Sequence, residues 1–289
     1  MRVIELISDE FDLPGVSWCW MLFGSEGRLE QAFASDQDNG LIFLPDNEAD
    51  TDSVRQAMLP FAQAVNRALD ICGFLLCPGD IMAGNSVWCL SVREWRGRFS
   101  TWMKEPDPEA LLNASIFFDL RPLYGQDELV DGLHKWLLPQ PAAHPRFLRG
   151  MAEQALGCTP SLGWFGSFSY DGGHRYPHTI DLKTRGSRPF VDAARLWALQ
   201  HGVWTTNTVE RLRAVGREMQ RPYTDTAASV EAFEFIQRLR IQRQLAGGAY
   251  DEINRIDPSV ITGPQRLMLK EAFKQAKLLQ LRLSQEFIQ

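Results

Sequence analysis

What the sequence lacks sets its limits first. It has no apolar run near the roughly 20 residues that a membrane-spanning helix requires. Its start, M-R-V-I-E-L-I-S-D-E, is acidic and has none of the apolar core of a signal peptide. No membrane partner is therefore expected, and the expected location is cytoplasmic. Basic residues are not in excess: 30 Lys and Arg stand against 36 Asp and Glu, a formal charge of -6. With no overall positive field to hold a nucleic-acid backbone, DNA and RNA are not expected partners. The five cysteines are odd in number, contain no C-x-x-C pair and read as reduced, mostly buried thiols. His174 and His178 stand four apart, but Pro177 between them argues against a helical zinc pair.

What is present is an ordinary globular composition, 45% hydrophobic and 23% charged over 289 residues, enough for two domains. The chain is organised around the stretch from Phe23 to Phe43. An apolar run, Val16 to Phe23, stops at Gly24-Ser25, and a second, Leu41 to Leu44, is entered through Asp36-Gln37-Asp38. This reads as strand, tight turn, short helix, strand. Gly24 lets the backbone turn and approach a ligand, and Ser25 is placed to cap the helix, leaving backbone amides to face an anion. The expected anion is a nucleoside triphosphate. Asp36 and Asp38 fall on one face of the entering strand, their Cα atoms about 7 Å apart. Mg2+ or Mn2+ is held by such carboxylates together with substrate phosphates, so turn and aspartates together make a phosphate cradle beside a metal clamp.

Gly24-Ser25 with Asp36 and Asp38 resembles the signature of the polymerase-beta-type nucleotidyltransferase superfamily. The fuller strings G-S-E-G-R-L-E-Q and S-D-Q-D-N are closer to the nucleotidyltransferases called DUF294, relatives of the uridylyltransferase domain that modifies PII signalling proteins. C-P-G-D-I-M-A from Cys77, I-F-F-D-L-R-P from Ile116 and D-L-K-T-R-G-S-R-P-F-V-D-A-A-R from Asp181 are similar to the same family. Gln37 departs from the broad superfamily, which usually has an apolar residue there. The resemblance implies an α/β (α+β) fold: a nucleotidyltransferase-type mixed sheet flanked by helices, followed by a mainly helical bundle domain.

The rest of the chain fits two parts, 1-140 and 141-289. Ser53 to Cys72 has the spacing of an amphipathic helix, with Val54, Met58, Phe61, Ala62, Val65 and Leu69 on one side. The loop from Gly79 to Asn85 is placed near the nucleotide, and Trp95, Phe99 and Trp102 read as core. Ala114 to Leu120 reads as a strand ending in Asp119. An aspartate among such apolar neighbours is costly unless paired, protonated or bound to metal. Asp119 is thus either a third metal carboxylate, as the resemblance favours, or the ion-pair partner of Arg121. Gln126 to Leu138 reads as a helix, and Pro139 to Pro145 as an extended linker.

Helical periodicity returns over Arg146 to Leu156, Pro189 to His201, Thr208 to Met219, Thr224 to Ala246 and Thr262 to Phe287, which suits a bundle. Gly163 to Arg188 interrupts it with a glycine-rich, basic insertion. Its Lys183, Arg185 and Arg188 either face the triphosphate, or form a solvated basic turn or pair with Asp181 and Asp192. Arg28 is a weaker phosphate candidate, with Glu30 to orient it.

The activity implied is transfer of a nucleoside monophosphate from ATP or UTP to a protein or small-molecule acceptor with release of pyrophosphate, catalysed through Asp36, Asp38 and Asp119. A regulatory protein is the acceptor that the resemblance favours. The competing readings are a nucleotide-sensing module without turnover and an interaction protein whose bundle docks a partner. No His-Asp pair occurs, so a reverse, deuridylylating activity is not expected. The abrupt start suggests an upstream regulatory segment, removed or never present.

Overall fold

The computed structural model describes residues 1-33, 35-248 and 252-289. The chain divides into two compact units, Met1–Gln31 with Ser35–His144, and Ala32–Ala34 with Pro145–Gln289. The sequence reading had set the division near residue 140.

The first unit is a mixed sheet flanked by helices. After α1 (Arg2–Ser8) come β1 (Ser17–Leu22), the single turn α2 (Gly24–Gly27), β2 (Asn39–Leu44), α3 (Thr51–Ile71), β3 (Cys89–Ser91), α4 (Val92–Lys104), α5 (Pro108–Phe117), β4 (Arg121–Gly125) and α6 (Asp127–Leu137). The sheet order is β3-β2-β1-β4. β1 is antiparallel to both β2 and β4, with Trp20 opposite Leu41 and Leu22 opposite Arg121. β2 and β3 are parallel, which demands a crossover, and α3 supplies it. Of the apolar stripe that defines α3 in the sequence, Val54, Met58, Phe61, Ala62 and Val65 are buried with Trp20, Leu41 and Phe43, and Leu69 is partly buried against them. Asn66 is buried on the same helix.

A second cluster of rings gathers around Phe117, whose centroid lies 4.3 Å from Trp88 and 4.5 Å from Phe23. Trp95, Phe99 and Trp102 join it from α4, as their spacing predicts, and the Trp95 indole donates to the Leu41 carbonyl at 3.1 Å. Such rings carry large buried areas and favour tilted contacts, so they fix α4 and α5 against the sheet.

Two expectations fail here. Residues 114-117 are not strand but the end of helix α5. Asp107 caps that helix, accepting from the Ala110 amide at 2.8 Å, and Pro108 occupies its first position. These start signals outweigh the apolar run that reads as strand. The proline-rich linker also contains a short 3-10 turn, Pro141–Ala143, because a proline in a first turn gives up no needed donor.

The second unit is mainly helical: α7 (Pro145–Leu156), α8 (Arg188–His201), α9 (Thr208–Glu218), α10 (Tyr223–Leu245) and α11 (Gly263–Phe287), with a two-residue pair of strands, β5 (Ile180–Asp181) and β6 (Arg255–Ile256). Side chains cap α9 at Asn207 and α11 at Thr262, where Gln265 completes a reciprocal capping box. α8 is the most enclosed, burying Phe190, Val191, Leu196 and Trp197. The glycine-rich insertion ends in β5 and a π-helical turn, Leu182–Ser187. Among the described residues no helix is long and apolar enough to cross a membrane.

Candidate active site

The site begins where β1 ends. Phe23 is extended, and its amide donates to the carbonyl of Asp38 at 2.9 Å, tying the entry of α2 to the segment before β2. Gly24 then takes a φ of +53°. A Cβ there would lie 2.8 Å from Oδ2 of Asp38, so the position excludes side chains twice, by backbone conformation and by the carboxylate seated over it. Ser25 lies inside the turn and not at its cap. Phe23 holds the cap position and has no side-chain hydrogen bond to give.

Asp36 and Asp38 sit just before β2. Asp36 forms a parallel bridge with Leu75, and the Gln37 amide donates to the Leu75 carbonyl at 2.8 Å. Among the described residues the Asp36 carboxylate has no hydrogen-bond or ion-pair partner. Asp38 Oδ1 accepts from the Cys77 thiol at 3.4 Å, which puts the start of the 77-85 loop beside it. Burial, then the charge of Asp38, push that thiol up to about 11, so it remains protonated and able to donate.

Gln37 is 1% exposed and explains itself by its partners. Its Nε2 donates to the carbonyls of Asn66 and Phe74 at 3.0 and 2.8 Å. The Asn66 Nδ2 donates in turn to Gln37 Oε1 at 2.8 Å and Asn39 Oδ1 at 3.0 Å. Backbone amides of Ala83 and Gly84 donate to Asn39 Oδ1 and Asn66 Oδ1, both at 2.9 Å. Three buried amides thus lock the Asp36–Asp38 segment to α3 and to the 77-85 loop, with their polar groups satisfied.

The turn also carries Glu26, which sequence reasoning passed over. It is buried, and desolvation followed by the charge of Asp38 raises its carboxyl from 4.5 to about 7. Gln31 donates to its Oε1 at 2.5 Å. Arg121 stands close by, its Nη2 donating to the Glu26 carbonyl at 3.4 Å, while its own charge is disfavoured by burial.

Asp119 follows α5 and is fully buried. Its Oδ2 accepts from Arg28 Nη1 at 2.6 Å, and Arg28 Nε donates to Glu30 at 2.8 Å. The partner that offsets the burial of this carboxylate is thus Arg28 and not Arg121. Glu30 orients Arg28 as expected, while the Arg28 guanidinium is engaged by two acids. The three expected carboxylates are not gathered: among the described residues no group of three or more His, Cys, Asp or Glu is placed to hold a metal ion.

Lys183 and Arg185 belong to the second unit. Arg185 donates to Thr159 Oγ1 at 2.9 Å and pairs with Asp171 at 3.6 Å. Arg188 pairs with Asp192 at 3.2 Å, the structural alternative foreseen for it. Asp181 uses its side chain to cap the π-helical turn through the Lys183 and Thr184 amides, and Lys183 is exposed.

Comparison with known families adds to this geometry. Residues 1–109 match the family model described as "Putative nucleotidyltransferase DUF294", and residues 145–287 match "Putative nucleotidyltransferase substrate binding domain". The chain belongs to the DUF294 family. No curated protein matches it. In this DUF294 chain the glycine turn, both aspartates and the amide lock all fall within the first matched segment, and the helical unit within the second.

Two outcomes follow for stability. A Cβ at Gly27 would lie 1.7 Å from the Asp119 carbonyl oxygen, so Gly27→Ala is expected to lose about 3 kcal/mol or more in urea unfolding. Gly97→Ala, with open space around it in α4, is expected to be neutral or to gain up to about 1 kcal/mol. Equal effects would contradict the close approach. Glu26, raised in the folded state, contributes stability that is full below 4.5 and lost as pH rises through about 7. In metal-free buffer the native chain should lose about 1-3 kcal/mol relative to Glu26→Gln between pH 4.5 and 8. Parallel stability profiles would contradict the burial of that carboxyl.

Proposed function

We propose that this chain is a metal-dependent nucleotidyltransferase that moves a nucleoside monophosphate from ATP or UTP to a protein or small-molecule acceptor and releases pyrophosphate. The observation that supports this best is the carboxylate of Asp38 seated on Gly24, with Asp36 two residues before it, in a chain that matches nucleotidyltransferase family models in both parts.

The residues fit a hard divalent cation. Mg2+ or Mn2+ takes one or two carboxylates plus phosphate oxygens, so a third protein acid is not required. Asp38 also bears on buried Glu26, whose carboxyl is raised first by desolvation and then by that charge. Asp36 and Asp38 would hold the ion. Once bound it neutralises phosphate charge and eases departure of pyrophosphate. The remaining steps belong to the chain. The half-buried Ser25 offers its hydroxyl and amide in the same turn, while Gly24 lets the Asp38 carboxylate approach the backbone. Arg28, held between Glu30 and Asp119, fixes the far end of α2 against the turn after α5. An acceptor oxygen bonds to the α-phosphorus as the bond from that phosphorus to pyrophosphate breaks, and the acceptor hydroxyl gives its proton to water.

The pairing of Asp119 with Arg28 favours a second reading, nucleotide sensing without turnover, because an acid expected as a third metal carboxylate is engaged by an arginine. Calorimetry with MgATP and MgUTP should show saturable binding by the native chain and at least tenfold weaker binding by Asp36→Asn with Asp38→Asn. Equal affinities would remove the metal and nucleotide from this site. Labelled pyrophosphate release with candidate acceptors then separates the readings: release supports transfer, and binding without release supports sensing.

A further inference from the structure

The helical unit contains a cavity of about 600 Å³, within the range of small-molecule sites. It lies along α9 and the first half of α10. Gly216 and Thr226 line it where the helices are close: a Cβ at Gly216 would lie 2.4 Å from Thr226 Oγ1. Val230 and Ala227 add apolar surface beside it.

Three arginines line this cavity. Arg213 and Arg217, one turn apart on α9, are exposed, and neither has an ion-pair or hydrogen-bond partner for its side chain among the described residues. The Arg221 guanidinium carbon lies over the ring of buried Trp197, 3.9 Å from its centroid, a contact that leaves its hydrogen-bond donors unused. Arg282 nearby adds a like charge but is paired with Asp225 at 2.7 Å, and Asp225 and Glu286 bring negative charge to the same neighbourhood. The facing wall, on α10, carries Glu231 and Glu234, whose carboxylates are likewise without ion pairs among the described residues.

Charges of opposite sign thus line one cavity without closing on each other. Guanidinium forks match carboxylate and phosphate oxygens two at a time, and carboxylates accept only from donors. The geometry points to a binding site for a small organic anion, phosphate- or carboxylate-bearing, that also carries hydroxyl groups: the anionic group on Arg213, Arg217 and Arg221, the hydroxyls on Glu231 and Glu234. On the transferase reading such a molecule is the acceptor, and that role rests on the reading above. The binding does not.

The probes are glycerol 3-phosphate and glycerate, one for each anionic group, titrated into the full chain by calorimetry. At least one should bind saturably, and Arg213→Ala with Arg217→Ala should weaken it at least tenfold with an unchanged circular dichroism spectrum, since both side chains are exposed and touch no core. Binding of neither probe, or equal binding by the double variant, would overturn the site. Asp36→Asn with Asp38→Asn should bind the probe as the native chain does. Probe binding in a chain that ignores MgATP and MgUTP would uphold the cavity and sink the transferase reading; nucleotide binding without probe binding would do the reverse.

Discussion

The structure depends on three amide side chains meeting inside the first unit. Two acids have to be presented at the edge of a fold while the backbone carrying them stays fixed, and apolar packing gives little direction to such a segment. Gln37, Asn39 and Asn66 supply it through hydrogen bonds to one another and to the carbonyls and amides around them. Each bond is worth about 1 kcal/mol net, yet leaving a buried partner unmade costs as much or more, so the set holds as a unit. Helix α3, strand β2 and the 77-85 loop are thereby joined at the point from which Asp36 and Asp38 emerge.

Around that lock the charges are arranged unequally. Asp38 lies against Gly24 and beside Glu26, so two acids share a small space, and the one more deeply enclosed responds by holding its proton near neutrality. One turn away Arg28 carries two further acids, Glu30 and Asp119. The first group sets two acids against each other, and in the second an arginine paired with two acids ties α2 to the turn after α5. The difference between them comes from position alone, since all are ordinary carboxyls in sequence.

Much of this was legible in the residues. The glycine turn between two apolar runs, the stripe on α3, the ring spacing on α4 and the periodicity of the later helices each follow from a local pattern that tertiary contacts reinforce. The segment before Asp119 was misread because Ala114 to Leu120 is apolar enough for a strand, although Asp107-Pro108 announces a helix start. Gln37 and Asn66 signalled themselves only as polar residues at inward positions. That signal names a buried hydrogen bond without naming its partner, because the partners lie 29 residues apart. Glu26 gave no signal at all, since its burial and its closeness to Asp38 exist only once β1 and β2 pair.

The most direct test of this account is amide hydrogen exchange in Gln37→Leu, a change that takes one of the three amides out of the lock and keeps every acid in the chain. Exchange at Phe23, Asn39, Ala83 and Gly84, whose amides bond to Asp38, Ile81, Asn39 and Asn66, should quicken at least tenfold, while the amide of Leu41, bonded to Trp88, keeps its protection. Unchanged exchange at those four positions would contradict the claim that the amides hold the aspartates where they are.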